Sequence, residues 1–497
     1  MSKRTDSPGL GSLSSGALTA GSLLVASGVA AAVGVVIARE FGRSAETDGV
    51  LSAYGVFVVI AIAAQAIRVA ILPSLARAEH EDRLAGEIAG FALSLVLLAT
   101  PILLFAEIGA VELAGLLTGG DEGPARNAAA DSLRWMVPAA LAHLFAALAA
   151  SGLAALDDYG TAALGYATGS LAGFALILAR VEPDGIIAIA WGMALNGAVA
   201  CLLPAVALAV RAVRARMPSR AVRPSGAPFR ARFQLFAVGT AVPLALQLLY
   251  VICLPFAARQ GTGAATSFVY AYLAASALVT VTAGALGLAT SVPLARSEFS
   301  ASSAVRHVAA TSWLALALVG GAVGVFALAG AEVVEAVLGG VYGGDVGSEL
   351  GRLVVVLCPW VIASIGVSVT FPLAFIAGRT RRLPLIAIAV LVVQVPLAWG
   401  SSELLQLDGL ALALALTTSF VLCALLVELG AFGDAAPGLL AAAGLVALLV
   451  VVAFAPAALV LGSVMSAVLG LLVYVVLLAL IRPRGLTASW DYLRALE

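Results

Sequence analysis

Apolar runs of about twenty residues follow one another along the whole chain, separated by short charged or Gly/Pro-rich breaks. An α-helix needs about 20 mostly apolar residues to cross the hydrocarbon core of a bilayer. Hydrophobic residues make up 62% of the 497 residues and charged residues only 11%, whereas soluble domains carry about 25% charged residues. The sequence therefore predicts an all-α, polytopic membrane protein with about fourteen transmembrane helices.

The basic residues indicate how these spans are oriented. If the N-terminus is inside, nineteen of the 27 lysines and arginines fall in inner segments and seven in outer segments. Positively charged loops mark the cytoplasmic side, so we expect both termini to be cytoplasmic. The predicted spans are 16–38, 50–73, 86–106, 134–155, 161–179, 185–210, 233–258, 265–292, 308–330, 353–377, 383–400, 409–428, 437–456 and 459–481.

A weak internal repeat divides the chain into two halves. Three short segments recur in order about 220 residues later: Pro73–Arg77 at Pro293–Arg296, Ala154–Leu164 at Ala374–Pro384, and the segment from Gly185 at Gly409. Repeats of this kind are common in transporters, which place their substrate site where the repeats meet. We predict two parallel-related six-helix lobes plus two C-terminal helices. The predicted parts are an N-lobe at 1–210, an Arg-rich cytoplasmic linker at 211–232, a C-lobe at 233–430, and two final spans with a cytoplasmic tail at 431–497.

The sequence lacks the motifs that carry enzyme or metal chemistry. The four cysteines lie singly in apolar runs and the three histidines are scattered, so neither disulfides nor a metal site is expected. No nucleotide-binding or hydrolase motif occurs in a suitable setting. The seven arginines at 211–232 fit a linker resting on anionic lipid better than a nucleic-acid site. We therefore expect no catalytic residue, no metal, no cofactor and no nucleic-acid partner.

The end of the first span carries a recognisable motif. Ala38-Arg39-Glu40-Phe41-Gly42, followed by Thr47-Asp48, resembles the ARxFGxxxxTD stretch of the MurJ/MviN proteins. These proteins are lipid II flippases of the multidrug/oligosaccharidyl-lipid/polysaccharide exporter superfamily. The resemblance covers most of the chain, and four further stretches look like the same family: Pro73–Arg77, Gly185–Gly192, Gly284–Arg296 and Ala374–Pro384.

The resemblance implies a function and a location. The chain would move an undecaprenyl-pyrophosphate-linked saccharide, lipid II above all, to the outer leaflet of the bacterial cytoplasmic membrane by alternating access. Its partners would be this polyprenyl-linked lipid, membrane lipids and proteins of cell-wall synthesis, and its last two spans would form a groove for the polyprenyl tail. The family lines its cavity with arginines from spans 1, 2 and 8, where this chain has Ser27, Val33, Ala61 and Tyr272.

Polar residues inside the apolar runs are the candidates for a substrate cavity. One helical face of span 2 and one of span 7 each carry three of them, and span 8 adds two tyrosines. These predicted cavity residues are Tyr54, Gln65, Arg68, Thr240, Gln247, Tyr250, Tyr270 and Tyr272. The structural alternatives are that Arg68 extends its side chain to the inner interface and that Gln247 bonds a neighbouring helix.

Charged residues near the span ends predict two gates. Arg39 and Asp48 flank the outer end of span 1, where they would form an outer-gate ion pair, a cap or an interfacial anchor. The turn between spans 4 and 5 carries acids where the corresponding turn of the other lobe carries arginines. These opposite charges predict an inner gate that closes by ion pairing, against the alternative of plain solvated turns. The predicted inner-gate residues are Asp157, Asp158, Arg379, Arg381 and Arg382.

Four alternatives to a lipid II flippase stay open at this point. Another polyprenyl-linked glycan is the second substrate, because a pyrophosphate in a low-dielectric cavity needs cationic donors. A cation-coupled drug exporter would need an acid in mid-span, whereas Glu87 and Glu428 lie at span ends. A membrane glycosyltransferase would need converging acids in an outer loop. A non-transporting paralogue that acts as a scaffold would explain the missing arginines.

Overall fold

The computed structural model describes residues 10–120, 122–214, 229–296, 301–459, 461–483 and 485–488. This part of the chain consists of α-helices joined by short turns, with one 3₁₀ turn at Gly340–Tyr342. The helices are α1 (Leu10–Phe41), α2 (Ala45–His80), α3 (Leu84–Ile108), α4 (Ala110–Leu117), α5 (Pro124–Ala155), α6 (Tyr159–Asp184), α7 (Ile187–Arg214), α8 (Phe229–Ala258), α9 (Ala264–Arg296), α10 (Ala301–Leu338), α11 (Gly344–Val356), α12 (Cys358–Ile376), α13 (Leu383–Glu428), α14 (Phe432–Ala458) and α15 (Ser463–Ile481).

Most of these helices are long and apolar enough to cross a membrane. Twelve such helices occur among the described residues. One of them, α13, has 46 residues and is interrupted by non-helical backbone at Gln406, so it supplies two spans. The 33-residue α9 adds another, and the total becomes fourteen. The prediction of an all-α, polytopic membrane protein with about fourteen spans is confirmed.

The first structural unit comprises residues Met1–Gln247, with α5 at its centre. Nearly every residue in the second half of α5 is buried, and this helix packs most extensively on α2 and α7. Small residues bring the helices close together: a Cβ on Gly49 would overlap the Ala125 carbonyl, and one on Gly197 would overlap that of Ala139. Such close approach is how helices associate in lipid, where apolar burial gives no advantage over contact with the acyl chains.

The second structural unit comprises residues Leu248–Glu497, and α10 is its main packing element. Its C-terminal helices α14 and α15 lie against α10. The Phe454 ring fits between Gly324 of α10 and Gly470 of α15, and the Tyr474 hydroxyl donates to the Ala317 carbonyl at 2.9 Å. These contacts fix α14 and α15 to the unit, while their remaining faces expose leucine, valine and methionine side chains to the bilayer.

The structure differs from the predicted spans in three places. Short helices α4 and α11 precede α5 and α12, and neither is predicted as an element. Spans 11 and 12 are joined directly at Gln406 instead of by the eight residues, 401–408, left between the predicted spans. The linker predicted at 211–232 is partly helical, because Arg211 belongs to α7 and Arg232 to α8, while residues 215–228 lie outside the described residues.

Gln406 adopts φ 53° and ψ −131°, a conformation that glycine reaches without strain and other residues do not. Gln406→Gly is therefore expected to raise the stability of the protein by about 1 kcal/mol. The measurement is the apparent melting temperature in detergent. Leu404→Gly, an exposed change two residues earlier, serves as the control and should lower stability because glycine weakens a helix. A fall in melting temperature for Gln406→Gly would contradict this account of the break.

Candidate functional site

The predicted cavity residues of span 2 lie along α2 in the first unit. Tyr54 is half-buried and its ring stacks on Phe57 with 5.8 Å between the ring centroids. Gln65 is exposed and Arg68 is half-buried. Arg68 makes no hydrogen bond or ion pair with any residue that the structure describes. The three residues therefore share one helix but have different surroundings.

Two polar side chains of neighbouring helices pack against each other in the first unit. His143 of α5 and Tyr166 of α6 stack face to face, with 6.2 Å between ring centroids and 4° between ring planes. Within the described structure, neither Nε2 of His143 nor the Tyr166 hydroxyl has a hydrogen-bond partner. The first unit thus contains a stacked pair of polar side chains whose buried atoms have no hydrogen-bond partner among the described residues, and the sequence pattern alone did not bring them together.

The predicted stripe of span 7 lies on the first half of α8. Thr240 is buried and donates to the carbonyl of Phe236 at 2.8 Å, so its hydroxyl is satisfied within its own helix. Gln247 is half-buried and marks the end of the first unit. Both residues therefore lie on the helix that the sequence predicts for them.

A buried ion pair joins the start of α8 to α3. Arg232 bonds Glu87 at 3.4 Å, and their side chains are only 7% and 13% exposed. The guanidinium also lies over the ring of Phe91, 5.4 Å from its centroid. Gly90 makes the space for it, since a Cβ there would overlap the guanidinium. Arg232, part of the predicted cytoplasmic linker, is therefore a packed residue of the first unit and does not rest on lipid.

The tyrosines predicted for the cavity form an aromatic cluster in the second unit. Tyr250 and Tyr272 stack with ring centroids 3.8 Å apart, and Trp360 lies 4.8 Å from Tyr272. Tyr270 meets Tyr342 edge-on at 5.5 Å. Tyr250, Tyr270 and Tyr272 are at most 7% exposed. Any contact of these tyrosines with a substrate would require the cluster to open.

A buried amide that the sequence reading missed crosses the second unit. Gln394 of α13 is fully buried, and its Nε2 donates to the Leu249 carbonyl at 3.3 Å and to the Cys253 sulfur at 3.2 Å. The Thr417 hydroxyl donates to its Oε1 at 2.8 Å. The network joins α8 to both segments of α13. Its sequence signal is a single glutamine within the apolar run of span 11.

The predicted outer-gate residues flank the short connection between α1 and α2. Arg39 is exposed in the last turn of α1, and Asp48 is 5% exposed in the first turn of α2. Ser44 caps α2 by accepting a hydrogen bond from the Thr47 amide at 3.1 Å. A negative charge in the first turn of a helix is favourable. The burial of Asp48 shows that this side chain is part of the packed helix start.

The predicted inner-gate residues pair within their own units. Asp158 caps α6 through the Thr161 amide at 3.1 Å and binds Arg211 at the end of α7 at 2.6 Å. Arg382 binds the Glu428 carboxylate at the end of α13 at 2.8 Å, and Arg379 donates to the Glu428 carbonyl. The two turns therefore form equivalent pairs with reversed polarity. Asp157 and Arg381 are exposed and have no ion-pair partner among the described residues.

The chain has the same fold as several solved transporters. The structure of the lipid II flippase MurJ in an inward closed conformation matches 93% of this chain and 98% of its own, with a TM-score of 0.72 and 14% identity. An inward-facing multidrug resistance MATE transporter of the MOP superfamily matches 83% of this chain and 98% of its own, with a TM-score of 0.57 and 17% identity. A MOP superfamily transporter from Pyrococcus furiosus, described as having a binding pocket of reverse polarity, matches 85% and 95% at a TM-score of 0.51 and 17% identity.

The chain has the fold of these solved transporters. No protein-family model and no curated protein sequence matches it. At identities of 14 to 17% the structural likeness shows the fold alone. The fold predicted from the Arg39 motif and the weak repeat is therefore confirmed, and the protein is a multi-pass membrane protein.

Breaking the buried ion pair of the first unit should be costly. Arg232→Met leaves the Glu87 carboxylate without its charged partner and is expected to lower the unfolding free energy by about 3 kcal/mol. Arg230→Met, two residues earlier and exposed, is the matched control and should change little. Thermal unfolding in detergent measures both variants. Equal melting temperatures for the two would mean that Arg232 contributes no more than a surface arginine.

Charge exchange distinguishes pairing within the second unit from the predicted gate. Arg382→Glu should lower the melting temperature only slightly, because Arg382 is exposed and ion pairs with an exposed partner contribute little to stability. Adding Glu428→Arg should restore the melting temperature.

The gate prediction instead rests on Asp157 and Arg381. It expects Arg381→Asp to impair transport and the further change Asp157→Arg to restore transport. If both double variants behave like their single variants, the charges of these turns are solvated and independent.

Proposed function

We propose that this protein is a flippase that moves an undecaprenyl-pyrophosphate-linked saccharide across the bacterial cytoplasmic membrane by alternating access, with lipid II as the leading substrate. The observation that carries this proposal is the likeness to MurJ, which has the higher TM-score and accounts for more of this chain than the MATE transporter does. A fold by itself does not determine a substrate. The charges of this chain supply the second argument.

Transport of a lipid-linked pyrophosphate requires a positive charge within the membrane, because an anion entering hydrocarbon without a partner pays a large desolvation penalty. Arg68 lies 23 residues after the start of α2 and 12 before its end. In the part of the chain that the structure describes, it is the only charged residue that is three helical turns or more from both ends of its helix and from any break. This favours an anionic substrate.

The cation-coupled drug exporter is less well supported. Such a transporter would use an acid inside the membrane to carry a proton or sodium ion. The two acids closest to this role, Glu87 and Glu428, lie at helix ends, and each binds an arginine of its own unit. An acid that is already paired with arginine is poorly placed to exchange a cation. Among the alternatives, another polyprenyl-linked glycan is the second candidate substrate, and a non-transporting scaffold is the third reading.

The proposed function predicts that the protein replaces an essential flippase. It is expressed in bacteria depleted of their own lipid II flippase, and survival is scored together with the accessibility of lipid II in the outer leaflet. Rescue with restored accessibility is the expected outcome. A tagged protein that is expressed and inserted but gives neither would exclude lipid II, and reconstituted vesicles containing other polyprenyl-linked glycans would then separate a different flippase from a scaffold.

A further inference from the structure

An apolar groove lies between α3 and α7 of the first unit. Both helices pack on α5, but among the described residues they make almost no contact with each other. The gap between them is a cavity of about 350 Å³, within the range of roughly 300–1,000 Å³ that ligand pockets occupy. Thirteen residues of α3, α5 and α7 line it, none of them charged and six of them alanine. These small side chains keep the gap open.

The length of the groove matches one leaflet of a bilayer. Its lining residues on α7 extend from Cys201 to Ala212, and those on α5 extend from Phe145 to the C-cap residue Leu156. Eleven residue steps on each helix cover roughly 16 Å along the helix axis at 1.5 Å per residue. Half of a hydrocarbon core of about 30 Å is about 15 Å. Because the groove starts where α5 and α7 end, it extends from the membrane surface to about the midplane.

The bottom of the groove is formed by α5. A Cβ on Gly152 would lie 3.0 Å from Leu208 of α7 and 3.1 Å from Ile88 of α3, so these two side chains meet over α5 from opposite walls. Leu148 and Ala149 of α5 also line the groove and are only 4% and 5% exposed. A molecule outside the unit can therefore reach these two residues only by entering the groove.

The open side of the groove adjoins an apolar surface. Ala209 in the α7 wall is exposed, and Leu202 and Val206 on the same helix are 61% and 59% exposed. An apolar gap gives water no hydrogen-bond partner, and an empty gap would lose the dispersion contacts of its walls. Hydrocarbon is therefore the chemistry that fits the interior of the groove.

Two exposed arginines flank the end of the groove at the membrane surface. Arg83 directly precedes the first lining residue of α3, and Arg211 directly precedes the last lining residue of α7. Their side chains are 59% and 47% exposed, and each also binds an acid, Glu81 and Asp158 respectively. Ion pairs with exposed partners are weak, and a guanidinium has five N–H donors. Both arginines can therefore bind a phosphate in addition to their acids.

We infer that the groove between α3 and α7 binds one acyl chain of an anionic phospholipid, whose phosphate is bound by Arg83 and Arg211. The apolar lining and the length of the groove fit the chain, and the two guanidinium groups fit the phosphate. The polyprenyl tail of a lipid-linked substrate is several times longer than the groove and fits it less well. This lipid site goes beyond the proposed function, because it requires no transport.

Filling the groove tests the binding of the acyl chain. The full-length protein in detergent is titrated with phosphatidylglycerol, and bound lipid is counted by native mass spectrometry. Ala205→Phe, on the α7 wall, should weaken binding about tenfold, the effect of removing about two buried methylene groups. Ala89→Phe fills the groove from the α3 wall and should act alike. Val206→Phe, next to Ala205 but exposed to lipid, is the matched control and should leave the affinity almost unchanged. Equal affinities in Ala205→Phe and Val206→Phe would overturn the inference.

Comparison of lipid classes tests the role of the arginines. The wild type should bind phosphatidylglycerol more tightly than phosphatidylethanolamine, and Arg83→Gln and Arg211→Gln should each reduce this preference. Arg180→Gln, an arginine of α6 with a 48% exposed side chain, is the control and should keep it. Equal binding of the two lipids by the wild type would overturn the anionic phospholipid as the ligand. So would displacement of phosphatidylglycerol by undecaprenyl phosphate at a lower concentration than by phosphatidylglycerol itself, which would assign the groove to a polyprenyl chain.

Photo-crosslinking of the wild type locates the lipid without relying on the folding of any variant. The protein is reconstituted in vesicles that contain phosphatidylglycerol with a diazirine at the end of one acyl chain, and the linked residues are identified by peptide mass spectrometry. Cross-links to Leu148 or Ala149 are expected, because the chain must enter the groove to reach them. Cross-links confined to exposed residues such as Leu202 and Val206 would overturn the inference. None of these measurements depends on transport, so the lipid site and the flippase proposal can fail independently.

Discussion

A charge that leaves water must find a partner, and this requirement organises the polar residues of the whole molecule. Solvating an isolated charge in hydrocarbon is so costly that buried charges are paired or neutral. Glu87 is matched by Arg232 and Glu428 by Arg382, each within one structural unit. Arg68 is the exception, half-buried in mid-helix without a counter-charge among the described residues. The same rule that explains the paired residues as structural makes the unpaired one a candidate for function.

The same requirement gives a different interpretation of the opposite charges at the equivalent turns of the two lobes. Opposite charges at equivalent turns predict an attraction between the lobes when only the sequence is considered. In the structure each turn is already matched by the end of the last helix in its own lobe, Asp158 by Arg211 and Arg382 by Glu428. Each lobe therefore has an ion pair at this position, with the acid on the turn in the first lobe and the arginine on the turn in the second. In both lobes the ion pair joins the turn to the last helix of that lobe, so neither Asp158 nor Arg382 needs a partner in the other lobe.

The sequence predicts the fold far better than the site. Fourteen spans follow from apolar runs because the thickness of the bilayer sets their length, whereas α4 is apolar but has only eight residues, too few for a span, and was missed. Arg232 belongs to a run of seven arginines, and composition cannot show that only the space over Gly90 lets it be buried. Tyr166 and His143 are unremarkable alone, and only helix packing brings them together. Gln394 could have been found, since a glutamine inside an apolar run is visible without any structure.

The helix α8 shows how tertiary contacts divide a single element. Its first half is held in the first unit by the Arg232–Glu87 pair and by the close approach of Gly239 to Ala70. Its second half is held in the second unit by the Gln394 amide on the Leu249 carbonyl and by the Tyr250 stack. Between them lies Pro243, which has no N–H to donate to the carbonyl of Gly239. The boundary between the two units therefore falls four residues after Pro243, the first of the two prolines in α8.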